Sequence, residues 1–312
     1  MIGSVGQSSP LPVEQALPDL LQSLRCGTRA VLSAAPGAGK TTRIPFALAD
    51  EAWCSGKVLV LEPRRVAARA AASFMAAQID EKVGQTVGYR VRLDSRVGER
   101  TRIEFLTEGV FKRRAMGDPE LPGVSAVIFD EFHERSLEAD LGLALALDIQ
   151  QALRPDLRIL VMSATLDSGA VARLLGNVPV IHSPGRSFPV EVRYHEPRMG
   201  EGIEEAMARI VSSTLATDSG SILAFLPGQK EIRRTAGLIA GRIPPDVALH
   251  QLHGALEASV QDEAIRPAES GRRKVVLATA IAETSLTIED VRIVIDSGLK
   301  RVPRFEPRTG LT

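Results

Sequence analysis

Cysteine is nearly missing from the 312 residues. Cys26 and Cys54 are the only two, with neither metal-ligand spacing nor the density of a disulfide scaffold. They read as reduced bystanders, as expected of a cytoplasmic protein. Aromatic residues are scarce at 4%, so the core must rest on Leu, Val, Ile and Ala. An excess of either charge is also lacking: 38 Lys and Arg stand against 38 Asp and Glu. No global field therefore draws the chain to nucleic acid or membrane, and any grip on a polyanion must come from local clusters. Long hydrophobic runs are absent. The richest, LGLALAL at Leu141 to Leu147, is far too short to cross a bilayer. The opening residues MIGSVGQSSP have neither the charged start nor the apolar centre of a signal peptide.

What is present is the balance of a globular protein, 44% apolar and 24% charged, over a length sufficient for two domains. Short β-branched runs alternate with Ala/Leu/Glu-rich stretches. Expected strands are Arg29 to Ala34, Lys57 to Pro63, Arg102 to Thr107, Ala126 to Glu131 and Arg158 to Ala164. Between them lie helical patterns such as RVAARAAASFMAAQI and SLEADLGLALALDIQQAL. Strands apolar on both faces, separated by helices, predict an α/β fold with parallel sheets flanked by helices. The stretch Ser183 to Pro197 holds three prolines and reads as a junction. Beyond it the alternation restarts with Ser221 to Pro227, Val247 to His253, Lys274 to Ala280 and Val291 to Gly298. The expected division is a flexible start over 1–12, a first domain over 13–185, a linker over 186–196 and a second domain over 197–312.

The segment AAPGAGKT follows a strand and precedes a helix, the setting a phosphate-binding loop requires. Ala35, Pro36, Gly37, Ala38, Gly39, Lys40, Thr41 and Thr42 are its candidate residues. Gly37 and Gly39 would turn backbone N–H groups toward phosphate oxygens, Lys40 would reach the outer phosphates, and Thr41 would bind Mg²⁺. The strict pattern begins with Gly, where this chain has Ala34. Taken alone, the segment also fits a glycine-rich turn with an incidental lysine. A metal carboxylate is needed as well, and AVIFDE delivers Asp130 and Glu131 to the end of an apolar strand. Asp130 would hold Mg²⁺ and Glu131 would activate the attacking water. The alternative for this pair is a helix N-cap. Together the two segments indicate a nucleotide hydrolase.

Further strings follow in order: LEPRRVAARA at Leu61 to Ala70, TEGVF at Thr107 to Phe111, DEFH at Asp130 to His133 and SAT at Ser163 to Thr165. FLPGQKEI at Phe225 to Ile232 and LATAIAETSLTI at Leu277 to Ile288 come later. This series resembles the DEAH-box branch of superfamily-two helicases over nearly the whole chain. It looks most like the HrpB-type bacterial ATP-dependent RNA helicases, on DEFHERS, LPGQ, IAETSLTI and RVPRFEPRTGLT.

The resemblance implies two RecA-like domains, ATP between them, and RNA or another single-stranded nucleic acid across both, in a monomer. Arg64 and Arg65, opening a helix after a strand, suit a phosphate backbone, the alternative being a solvated helix start. Thr107, Glu108 and Gly109 match a second strand-gripping motif. Thr284 and Ser285 match a motif that faces both strand and nucleotide, although such a pair also caps helices. His133 would link the hydrolysis site to the second domain, and Ser163, Ala164 and Thr165 would relay the state of the outer phosphate. The run Lys112, Arg113 and Arg114 reads as a solvated helix end. Three positions depart from the family: Phe132 stands in place of Ala, Ala280 in place of Asn, and Phe74 where relatives carry an Arg. If that Arg meets the adenine, an aromatic ring here can still stack on it.

The family's QRxGRAGR motif does not occur before Thr312. An arginine finger is worth on the order of 10³–10⁵ in rate. The expectation is therefore a fragment with an incomplete second domain, weak ATP–Mg binding and poor hydrolysis. A binding module without turnover is the alternative within the family. A P-loop kinase or other NTPase unrelated to nucleic acid is the alternative outside it, and LEPRR and TEG argue against that.

Overall fold

The computed structural model describes residues 11–302 apart from 165–167, 186–187, 270, 284–287 and 289. The chain divides into two units, Met1–Pro189 and Val190–Thr312.

In the first unit the strands are β1 (Arg29–Ala34), β2 (Lys57–Glu62), β3 (Val87–Val91), β4 (Asp94–Arg96), β5 (Ile103–Thr107), β6 (Val124–Phe129), β7 (Arg158–Ser163) and β8 (Val180–Ser183). Among the described residues they form one sheet in the order β4-β3-β5-β2-β6-β7-β1-β8. The helices are α1 (Leu17–Cys26), α2 (Lys40–Ala49), α3 (Arg65–Gln78), α4 (Glu108–Gly117), α5 (Leu137–Ala152) and α6 (Ser168–Leu174). Strand residues alternate between two cores, as the twofold period of a strand requires. Leu32, Val58 and Val60 pack with Leu20, Ile44 and Met75 on one side. Val31, Leu59 and Leu61 pack with Phe111, Leu143 and Ile149 on the other. Burial on both faces is why these strands read as unbroken apolar runs.

The sheet corrects the all-parallel expectation at one edge, where β4 pairs antiparallel to β3. Neither strand was anticipated, nor was β8. β4 has three residues, none buried, so it carries no apolar signal. The four residues of β8 lie between Pro179 and Pro184, which read as loop. The AVIFDE strand is also shifted. It begins at Val124 and stops at Phe129, because Glu131 adopts a left-handed φ of 48° that no strand residue can hold.

In the second unit β9 (Ser221–Phe225), β10 (Val247–Leu252), β11 (Arg273–Ala278) and β12 (Val291–Asp296) follow the order β10-β11-β9-β12, all parallel. Helices α7 (Ile203–Thr217) and α8 (Gln229–Ile239) cover one face through Val211 and Ile232, and α9 (Ala258–Ile265) covers the other through Ala264.

Candidate functional site

One strand, β7, separates β1 from β6. Strands lie about 4.8 Å apart, so the carboxyl ends of β1 and β6 stand roughly 10 Å from each other, a gap two side chains can close. Lys40 and Thr41 reach in from the loop after β1, and Asp130 and Glu131 from the turn after β6.

Gly37 and Gly39 take φ values of 74° and 90°, conformations open to glycine at little cost. The turn is closed by the Ala38 N–H donating to the Ala35 carbonyl at 3.2 Å. Thr42 donates back to the Gly39 carbonyl at 3.3 Å. Lys40 opens α2 and is only 4% exposed. Its ammonium donates to the Ala34 carbonyl at 3.1 Å and lies 3.6 Å from Glu131 Oε1. The Thr41 hydroxyl donates to Asp130 Oδ2 at 2.5 Å, and the Glu131 N–H donates to Asp130 Oδ1 at 2.8 Å. The two segments picked from the sequence therefore meet.

Glu131 precedes the short turn Phe132–Glu134, but its side chain makes no capping hydrogen bond to it. Its second oxygen, Oε2, lies 3.3 Å from His133 Nε2. His133 Nδ1 accepts the Ala164 N–H at 3.3 Å, so the ring proton sits on Nε2 and points at Glu131. Burial and then Asp130 push the Glu131 carboxyl up to about 7. Burial also raises Asp130, against the pull of Lys40 and Thr41. Burial and Lys40 lower His133, which keeps the ring neutral. Ser163 is buried at the end of β7, and Thr165 lies outside the described residues.

Glu62 was missed in the sequence. It closes β2, is 1% exposed, and burial followed by Asp130, Glu131 and Glu134 raises its carboxyl well above the ordinary value. The signal was an acid ending an apolar strand, the same signal that singled out Asp130.

Arg64 precedes α3 in extended conformation, with its guanidinium 3.1 Å from Glu134; Arg65 is exposed. Thr107 stands opposite Glu62 in the β5–β2 register. The starts of α3 and α4 are thus side by side on one sheet edge, and Gly109 lies in the first turn of α4. The Glu108 carboxyl is engaged internally, taking the Ser136 hydroxyl at 2.5 Å. Thr284 and Ser285 lie outside the described residues. The run at Lys112, Arg113 and Arg114 is more than a solvated end: Lys112 pairs with Glu138, and Arg114 turns 3.8 Å from the buried Glu104. Phe74 is 43% exposed on α3.

The second unit holds a basic cavity of about 820 Å³ at the N-terminus of α8, lined by Gly228, Lys230, Arg233, Arg234, His253 and Arg301. His253 is 93% buried by its 7% exposure, with no hydrogen-bond partner at Nδ1. Burial first, then Arg233, lowers its basicity. A helix N-terminus, several cations and a neutral imidazole suit a phosphate group. The string FLPGQKEI marked this place, but the arginines that follow it were not singled out.

Among the described residues no group of three or more His, Cys, Asp or Glu forms a metal site, and no helix is long and apolar enough to cross a membrane. One hydroxyl and one carboxylate in contact fit the way Mg²⁺ binds, through few protein ligands plus phosphate oxygens and water.

A parallel sheet that sets a glycine turn and a buried lysine against an acid pair one strand away defines the P-loop nucleotide-binding class. The family model for DEAD/DEAH box helicases matches residues 14–174, and the one for the helicase conserved C-terminal domain matches 204–307. The chain belongs to the DEAD/DEAH box helicase family. It is 53% identical to the ATP-dependent RNA helicase HrpB of Escherichia coli (strain K12) over 304 residues, 97% of this chain and 38% of that protein. It is 34% identical to the pre-mRNA-splicing factor ATP-dependent RNA helicase prp22 of Schizosaccharomyces pombe, over 98% of this chain and 27% of that protein. The crystal structure of the Escherichia coli DEAH/RHA helicase HrpB superposes with a TM-score of 0.88 at 52% identity, covering 96% of this chain and 38% of that one. The chain thus spans well under half the length of these relatives.

Proposed function

We propose that the chain binds ATP with Mg²⁺ between Lys40, Thr41, Asp130 and Glu131 and couples its hydrolysis to movement on RNA. The observation that carries the reading is the meeting of Thr41 with Asp130 and of Lys40 with Glu131 across one strand. Bound Mg²⁺ would supply charge neutralisation on the phosphates, with Thr41 and Asp130 as its protein ligands. Lys40 would exchange the Ala34 carbonyl and Glu131 for phosphate oxygens. Glu131, with a carboxyl near 7, is suited to take a proton from water at neutral pH. His133 holds that carboxylate through Nε2 and reads the end of β7 through Nδ1. The sequence resemblance assigned His133 to a link between domains. The contact at Ala164 supports a relay inside the first unit.

For nucleic acid the reading rests on Arg64, Arg65, Thr107 and Gly109 in the first unit and on the α8 cavity in the second. The Arg64–Glu134 ion pair joins that surface to the loop carrying Asp130 and Glu131, so a phosphate that drew Arg64 away would be felt at the nucleotide. The exposed ring of Phe74 supports a stacking role toward the base. ATP turnover of the purified chain, measured with and without single-stranded RNA, tests the reading. Turnover that RNA stimulates and that Lys40→Ala abolishes supports it. Turnover indifferent to RNA would return the chain to the general class of P-loop hydrolases.

A further inference from the structure

The phosphate loop is wedged between two segments that do not belong to it. On one side the Val13 N–H donates to the Ala38 carbonyl at 3.1 Å. There a Cβ built on Gly39 would stand 2.6 Å from Leu11 Cδ1. On the other side β8 runs parallel to β1 with Ser183 opposite Ala34. Two residues further on, Gly185 meets Ala35 as the loop begins. A Cβ at Gly185 would lie 2.7 Å from the Ala35 Cβ. Carbon atoms at rest stand about 3.5–4.0 Å apart, so the two backbones would have to separate by roughly an ångström. No rotamer relieves the clash, because an alanine methyl is fixed to its backbone. The φ of Gly185 is outside the left-handed range, so space toward Ala35, and not backbone conformation, is what calls for glycine.

We propose that Gly185 is a positioning residue of the nucleotide site: its bare backbone seats Ala35 and so sets the loop that presents Gly37 to Lys40. The link from Ala35 onward is the hydrogen bond from Ala38, which closes the turn. A shift at Ala35 therefore tilts the N–H groups and Lys40 away from a phosphate. This role rests on the nucleotide reading given above. It also places a nucleotide-sensitive contact four residues before Pro189, where the first unit ends.

The test is equilibrium binding of a fluorescent, non-hydrolysable ATP analogue with Mg²⁺ to the full chain, alongside thermal unfolding without nucleotide. Gly185→Ala is expected to weaken binding about tenfold at temperatures where the protein is folded. In an Ala35→Gly background, which removes the opposing methyl, the same substitution should change affinity less than about twofold. A purely structural role would lower the unfolding midpoint and leave the affinity of the folded protein alone. Gly185→Ala binding like the wild type, or losing affinity equally in both backgrounds, overturns the proposal. If Gly185→Ala does not fold, the double variant decides: folded and binding supports the contact, unfolded overturns it. Lys40→Ala is measured in parallel. Binding that survives that change sinks the nucleotide reading itself, a result distinct from failure at Gly185.

Discussion

Lys40 rests in an arrangement that already satisfies its charge, with the Ala34 carbonyl and Glu131 as partners. Nucleotide must displace both, so removing the ammonium leaves a buried carboxylate facing no cation. Lys40→Ala should abolish detectable analogue binding in a fluorescence titration. Glu131→Gln keeps shape while removing the base, and should cut turnover by about 10²–10⁴ with analogue affinity retained. The raised carboxyls also set a pH dependence. Between the ordinary 4.5 and about 7 the folded chain keeps a proton on Glu131 that the unfolded chain has released. Stability is therefore fully present below 4.5 and is lost as pH rises through 7. Unfolding midpoints in Mg²⁺-free buffer should fall across that window, less steeply in Glu131→Gln. Lys40, Thr41, Asp130 and Glu131 were legible in the sequence because the chemistry dictates their types and the strands dictate their place. Gly185 was not, since its role is a distance between backbones remote in sequence. Nor was the αL conformation of Glu131, which depends on the packing around it.

Strands that are largely apolar runs announced themselves, the edge strands β10 and β12 among them, whereas β3, β4 and β8 did not. β1, β2, β6 and β7 were found within two residues of their true ends because each is an apolar run bounded by turn residues. β4 and β8 exist through hydrogen bonds to a neighbour, which composition does not record. At the helix level, α5 starts at a cap shared by two elements: Ser136 accepts the Ala139 N–H at 2.8 Å and donates to Glu108. Ser136→Ala should cost roughly 1–2 kcal/mol in denaturant unfolding. It should also loosen the start of α4, where Thr107 and Gly109 lie.

For the whole molecule, a formal charge of zero hides local contrasts. The α8 cavity gathers Lys230, Arg233, Arg234 and Arg301, with Glu231 and Glu204 pairing Arg301 and Arg234. If single-stranded RNA binds there, Arg233→Ala should weaken binding across sequences and flatten the log–log salt dependence by about 0.7. Fluorescence anisotropy of a labelled oligonucleotide at several salt concentrations checks this, and an unchanged slope would remove the cavity from the interface. The motif order made the two-part organisation legible. The basic cavity was only half visible, because its lining comes from four separate stretches of chain.

Turnover requires a triphosphate lying between the glycine turn and the acid pair. A crystal structure of the chain with a non-hydrolysable ATP analogue and Mg²⁺ tests this most directly. The expected result is Lys40 Nζ drawn from the Ala34 carbonyl onto the outer phosphates, with the metal between them, Thr41 and Asp130. An analogue bound elsewhere, with Lys40 still on Ala34 and Glu131, would contradict it.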